Sequence, residues 1–384
     1  RLLMSGFFNA HAHTPMTLLR GYGENLKLGD WLNTRIFPFE ARLNGEDVYY
    51  GTLLGLAESL RFGIVSSTDM YYFCDRMAEA VLESGAKNNL SRGVTCFTEE
   101  ELEALPAFQE TAALFRDCNG AGEGRLLVDL CMHGEYTTTE RTMARMIEYA
   151  GELGTGFHIH CSETREEVEG CKSRHGGKTP VGYLRGLGAF ENRTVLAHGV
   201  WLEEGDLELL AAAKNVTVAS CPVSNLKLAS GICDVPALLE RGVNVAIGTD
   251  SVASNNSLNM LADMKIYALL QKGWRQDPTL VTPKEALYAA TRAGALSQGR
   301  PDTGLLAEGM KADLTVLDIS GPNMNPVHDL LNNLVYSASG GEVVLTMADG
   351  RVLYRDGEYL TIDIEKVKHG AAGACARILR ELER

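Results

Sequence analysis

His11 and His13 stand two positions apart in Asn9-Ala10-His11-Ala12-His13-Thr14-Pro15, directly after the apolar run Gly6-Phe7-Phe8. Side chains alternate along a strand, so residues i and i+2 face the same side. Two neutral imidazoles that converge where a strand stops suit a transition-metal ion. Taken alone, the pair reads more simply as two polar residues at a strand end. What decides between these readings is whether the rest of the chain brings further donors to the same place.

Apolar runs and amphipathic stretches alternate through most of the sequence. Strands are expected at residues 6–9, 64–68, 93–97, 126–132, 157–161, 194–197, 216–220 and 243–248. Helical spacing fills the intervals. Asn44 with Asp47 three residues on resembles a capping box, and Gly63 ends the helix it opens. Residues 99–117 and 282–297 also read as helices. Eight strand–helix units in residues 1–298 predict an α/β fold of the (β/α)₈ TIM-barrel type. Residues 299–384 change character: a strand near 312–318, a hairpin turning at Asp349-Gly350 and a closing helix near 364–382 predict a small β-sandwich unit, further strands of which are expected upstream. The chain begins at Arg1 and enters a strand at once, so residues before it are expected and the sandwich is expected to be incomplete.

Barrel enzymes carry their chemistry at the C-terminal ends of the strands. Those ends hold His11, His13, His133, His160, His198 and Asp250. His158 lies two residues before His160 in the same strand, hence deeper, and reads as a core residue or as backing for the rim. His175, His328 and His369 fall in loops or the tail and take no role.

Composition narrows the partners. The net charge of −14 comes with no basic run, which excludes a partner held by its phosphate backbone. Nine cysteines occur without a Cys-x-x-Cys pair, the pattern of reduced thiols in a cytoplasmic protein. No segment is long and apolar enough to span a bilayer. The glycine-rich stretch 119–124 precedes a strand, not a helix, and reads as a connection, not a phosphate loop.

Longer motifs surround the rim residues. They are Gly6 to His13, His158-Ile159-His160-Cys161-Ser162-Glu163-Thr164, Ala197-His198-Gly199-Val200, Ser224-Asn225-Leu226-Lys227-Leu228 and Gly248-Thr249-Asp250-Ser251-Val252-Ala253-Ser254-Asn255-Asn256. In these the chain resembles the amidohydrolase superfamily and, within it, the methylthioadenosine/S-adenosylhomocysteine deaminase and chlorohydrolase group. The resemblance runs over essentially the whole chain. It implies one divalent metal ion per chain, Zn²⁺ before Fe²⁺, held by His11, His13, His160 and Asp250. Three imidazoles and a carboxylate suit zinc and leave room for a water. Two-metal relatives carry a lysine at the end of strand four, where this chain has Leu130-Cys131-Met132-His133.

The same resemblance assigns roles. Glu163 becomes the proton shuttle to the purine ring nitrogen and the leaving amine. His198 hydrogen-bonds the attacking water, with a fifth ligand as its alternative role, and Asp250 takes that water's proton. Glu40 accepts the ribose hydroxyls, Trp31 packs on the base or thioether, and Arg92 and His133 occupy substrate positions. The implied activity is hydrolytic deamination of adenine nucleosides such as 5′-methylthioadenosine or S-adenosylhomocysteine. The partner is thus a small nucleoside, with a homo-oligomer left open. The alternatives are a guanine deaminase or triazine chlorohydrolase on the same site, and a catalytically silent binding protein on the same fold. Ser5 stands where members commonly have proline.

Overall fold

The computed structural model describes residues 1–383. The chain opens with a short strand, β1 (Leu2–Ser5), turns at Gly6 and enters β2 (Phe7–Ala12). Gly6 is required at the turn, because a Cβ there would lie 2.4 Å from a methyl of Val65. Its N–H donates to the Asp313 carbonyl at 2.9 Å, which ties the turn to the tail. The first barrel strand is therefore longer than residues 6–9 and contains His11 within its span.

β2 is followed in the barrel by β3 (Ile64–Tyr71), β4 (Lys87–Arg92) and β5 (Leu126–Val128), all parallel. A second parallel sheet runs from β6 (Leu130–Gly134) through β7 (Phe157–Cys161), β8 (Thr194–His198) and β9 (Val216–Ser220) to β10 (Asn244–Ile247). β5 and β6 are the two halves of one barrel strand, interrupted at Asp129. A parallel bridge from Ala12 to Asp250 joins the two sheets on the other side. Eight strands thus form a TIM barrel, as the alternation of strand and helix patterns indicates.

Three further elements differ from the sequence expectation. The third strand is Lys87–Arg92, not 93–97. Its residues look polar enough for a loop, but the barrel interior and the tail supply their partners. Lys87 Nζ reaches Asp313 at 2.5 Å and Asp349 at 2.7 Å, Asn88 donates to Asp69 at 2.7 Å, and Asn89 donates to Asp129 at 2.9 Å. Buried polar groups are tolerated when paired in this way. The helix expected from residue 99 starts instead at Pro106 and runs to Cys118. Proline lacks the N–H and fits only the first turn, so the preceding acidic stretch stays outside. The 282–297 helix is likewise two pieces, Pro283–Ala290 and Arg292–Ser297, broken at Thr291.

The tail adds β11 (Leu314–Leu317), β12 (Val343–Ala348), β13 (Arg351–Arg355) and β14 (Glu358–Tyr359). With β1 they form one antiparallel sheet in the order β1-β11-β12-β13-β14. A division at residue 298 would leave β1 with the barrel, whereas its pairing places it with the tail. Val316, Val344 and Leu345 are half-buried, since one face of this sheet has no second layer among the described residues. The closing helix Ile364–Leu382 packs on Gly45–Arg61, whose Asn44–Asp47 capping box is formed. No helix among the described residues is long and apolar enough to cross a membrane.

Lys87 is fully buried between two carboxylates at the foot of the barrel. Removing one partner of such a pair leaves an uncompensated charge and typically costs about 3–5 kcal/mol. Lys87→Met should therefore lower the free energy of unfolding by about that much in urea titrations at matched metal content. A loss below about 1 kcal/mol would show that the carboxylates find other partners.

Candidate active site

The rim residues come together as the barrel topology requires. His11 lies in β2 and His13 just beyond it, His133 in β6, His160 in β7, His198 at the end of β8, and Asp250 three residues past β10. His13 Nε2 is 3.2 Å from His160 Nε2 and 3.3 Å from Asp250 Oδ1. His11 Nε2 is 3.4 Å from the same oxygen. Ligands about 2.0–2.1 Å from a tetrahedral ion stand about 3.3–3.4 Å apart, so these separations match the edges of such a site.

The outer ring nitrogens explain why a cation is needed. His13 Nδ1–H donates to the Met70 carbonyl, and His160 Nδ1–H to the His133 carbonyl, each at 2.6 Å. Both Nε2 atoms then carry lone pairs, and these face each other with no hydrogen between them. His11 Nδ1 meets His158 Nε2 at 2.9 Å, and His11 Nε2 is buried without a hydrogen-bond partner. His158 thus backs a rim residue. Asp250 Oδ2 accepts from Ser224 at 2.5 Å and Ser254 at 2.9 Å, leaving Oδ1 toward the imidazoles. The donor set fits a divalent ion.

Three of the twelve non-glycine residues at positive φ among the described residues lie here. Ser162, His198 and Asp250 have φ of +55°, +79° and +57°, a region that non-glycine residues adopt rarely. Hydrogen bonds hold them there: Asp250 N–H donates to the His11 carbonyl at 2.9 Å, and Gly199 N–H to the Cys161 carbonyl at 3.1 Å. Such strain persists where surrounding contacts over-determine it, which is common at functional sites.

Glu163 follows β7 and faces the same cavity. Its Oε2 is 3.7 Å from His198 Nε2, and Oε1 accepts from Ser230 at 3.3 Å. Burial raises the Glu163 carboxyl above its ordinary value, with His198 opposing and Asp250 adding. Burial works against charge on His198, but Glu163 and Asp250 outweigh it and raise that imidazole. His198 Nδ1–H donates to Asn225 at 2.9 Å, so Nε2 points at Glu163. His133 is driven down to about 4 by burial and then by His13 and His198, and is neutral at physiological pH.

The far end of the cavity is built by Leu28–Trp31, Leu32–Ile36 and Phe37–Glu40, one helical segment with a π turn in its middle. Residues nine apart fall on opposite faces of a plain α-helix. The wider turn reduces that angle, and Trp31 and Glu40 both line the cavity. Burial pushes Glu40 up to about 7, against the opposing pull of the Tyr71 hydroxyl and His13.

Arg92 departs from the expected arrangement. It ends β4, but its Nε donates to Glu110 at 2.6 Å and its guanidinium stacks over Tyr72 at 5.0 Å. It lines an adjoining cavity that shares Phe37, Glu40 and Tyr72 with the first, and is not grouped with His133. An ion pair across 18 residues leaves no local pattern to read. Other contributors were also not singled out: Ser224, Ser254 and Asn225, which sit in recognisable motifs, and Tyr71, Tyr136 and Glu167. Of these, Glu167 had a readable signal, a glutamate three residues after Thr164 at a helix start.

Comparison with known proteins agrees with this architecture. Residues 2–353 match the Amidohydrolase family. A 5-methylthioadenosine/S-adenosylhomocysteine deaminase of Pelotomaculum thermopropionicum is 42% identical over 376 residues, covering 98% of this chain and 86% of the relative. A 5′-deoxyadenosine deaminase of Methanosarcina mazei is 40% identical over 378 residues, covering 98% and 87%. Among solved structures, an adenosine deaminase from Xanthomonas campestris with bound zinc superposes with a TM-score of 0.93 at 32% identity, covering 98% of this chain and 86% of that one. With barrel, rim and sequence in agreement over nearly its whole length, the chain belongs to the amidohydrolase family.

Proposed function

We propose that this protein is a metal-dependent deaminase of adenine nucleosides, converting 5′-methylthioadenosine or S-adenosylhomocysteine and water into the inosyl product and ammonia. One observation carries the reading: Glu163 and Glu40 share a single cavity with His13, His160 and Asp250 of the donor set. A carboxylate beside the donors suits proton transfer to a heterocycle, and one at the far end suits a ribose diol. The nucleoside deaminases among its relatives support the same substrate class.

His11, His13, His160 and Asp250 would hold one divalent ion, Zn²⁺ before Fe²⁺. When bound, such an ion supplies a water of lowered pKa near neutral pH. The protein's own groups do the rest. Asp250 Oδ1 accepts the proton of the attacking water. His198 Nε2 hydrogen-bonds the oxygen as it adds to purine C6 and develops charge. Glu163 protonates the neighbouring ring nitrogen, and its raised carboxyl suits an acid near neutrality. Now a carboxylate, Glu163 takes the proton left on the C6 hydroxyl and passes it to the exocyclic amine, which leaves as ammonia while the C6 carbonyl forms; the proton held by Asp250 then returns to Glu163. Trp31 packs on the substrate, and neutral His133 offers the base a hydrogen bond. All nine cysteines are free thiols, which supports a reducing, cytoplasmic setting.

Elemental analysis after zinc reconstitution should find about one ion per chain. Two ions, or none, would contradict the donor set. Glu163→Gln should retain the ion and lose about 10²–10⁴-fold in kcat. Loss of zinc instead would make Glu163 a ligand.

Glu40 generates a test of substrate class. Only its ionised form accepts two charge-assisted bonds from a ribose diol, each worth about 1.5–3 kcal/mol. Glu40→Ala should lower kcat/KM for nucleosides at least about a hundredfold and spare metal content. With its carboxyl pushed up to about 7, wild-type kcat/KM should rise with pH through that value, and Glu40→Gln should remove this rise. A panel of methylthioadenosine, S-adenosylhomocysteine, adenosine, adenine, guanine and a chlorotriazine completes the measurement. A wild type that prefers a ribose-free compound points to the guanine or triazine alternative. Binding without turnover points to the silent one.

A further inference from the structure

We propose that Glu167 is a positioning residue that sets Glu163 against His198. The inference rests on the reading of Glu163 as the proton shuttle. Thr164 caps the helix Arg165–Arg174, its hydroxyl accepting the Glu167 N–H at 3.1 Å. In a capping box the carboxylate three residues on would return to the N–H of the cap residue itself. Here it reaches further back. Oε1 accepts the Ser162 N–H and Oε2 the Glu163 N–H, each at 2.7 Å.

This carboxylate is 6% exposed and grips both N–H groups of the turn that presents Glu163. The turn needs a grip, because Ser162 is a non-glycine residue at φ +55°. The Ser162 carbonyl in turn accepts the N–H groups of Val200 at 2.9 Å and Trp201 at 2.8 Å. Those residues follow His198, itself at φ +79°. One carboxylate therefore locks a turn that carries Glu163 on one side and braces the chain leaving His198 on the other. The 3.7 Å separation of Glu163 Oε2 and His198 Nε2 is the product of that lock. Glu167 reaches the substrate only through this turn.

The variant is Glu167→Gln, whose amide offers one acceptor and meets the second N–H with its own NH₂. With methylthioadenosine, kcat should fall at least about tenfold, KM should stay within about threefold, and zinc content should match wild type. The decisive reading is a double-mutant cycle with Glu163→Gln. A residue that acts by setting Glu163 against His198 loses that effect once Glu163 cannot transfer a proton, so Glu167→Gln should slow the Glu163→Gln enzyme by less than about twofold. An additive cycle would assign Glu167 a general structural role and overturn the inference. A crystal structure of Glu167→Gln gives a reading independent of activity. A displaced Ser162–Glu163 turn supports the lock, and an unmoved one overturns it. If wild type releases no ammonia from any nucleoside, the deaminase reading fails, while the crystal structure still decides whether Glu167 holds the turn.

Discussion

Three buried imidazoles and a carboxylate crowd together with their acceptor atoms facing inward, and that repulsion is the constraint the rest of the structure answers to. His13 and His160 approach to 3.2 Å with lone pairs opposed, because each has committed its only N–H to a backbone carbonyl. A divalent ion at the centre would turn the repulsion into coordination. The protein's contribution is to hold the donors in place beforehand, through the Met70 and His133 carbonyls, His158, Ser224 and Ser254. Outer contacts of this kind orient ligands and fix their tautomers.

The barrel floor takes part in the same task. Asp69 accepts from the Thr14 N–H at 2.6 Å and its hydroxyl at 2.7 Å, immediately after His13. It also accepts from Asn88, one strand over. Asn89 continues to Asp129, which is held by Arg193. A connected polar network therefore runs under the rim. Buried polar networks are costly if half satisfied and rigid if complete. The polar character of Lys87–Arg92 is the cost of this support, and it is why that strand does not read as one.

What could be read from the sequence follows from how local each signal is. His11 and His13 are legible because the period of a strand places them together. Their convergence with His160, His198 and Asp250 follows once eight strands are counted, since a barrel gathers strand ends at one rim. The Asn44–Asp47 cap and the Asp349-Gly350 turn are legible for the same local reason. Lys87–Arg92 was missed because its partners, Asp313 and Asp349, lie more than two hundred residues away. The pairing of β1 with the tail is equally non-local. The Arg92–Glu110 pair has no pattern at all; the substrate position of Arg92 is implied by the family resemblance, and the structure shows its guanidinium paired with Glu110.

Two carboxylates line one cavity, and burial raises both, so desolvation alone does not give them different tasks. Their neighbours do. Glu163 faces an imidazole that Glu163 and Asp250 themselves make more basic, and a group able to exchange protons beside a heterocycle is what deamination requires. Glu40 faces the Tyr71 hydroxyl, a donor that stabilises charge without taking part in transfer at neutral pH. The π turn delivers Glu40 and Trp31 to the same wall, whereas a strained turn delivers Glu163. On the proposed reading, one carboxyl moves a proton and the other accepts hydrogen bonds, and the distance between them along the cavity separates the reacting base from the sugar.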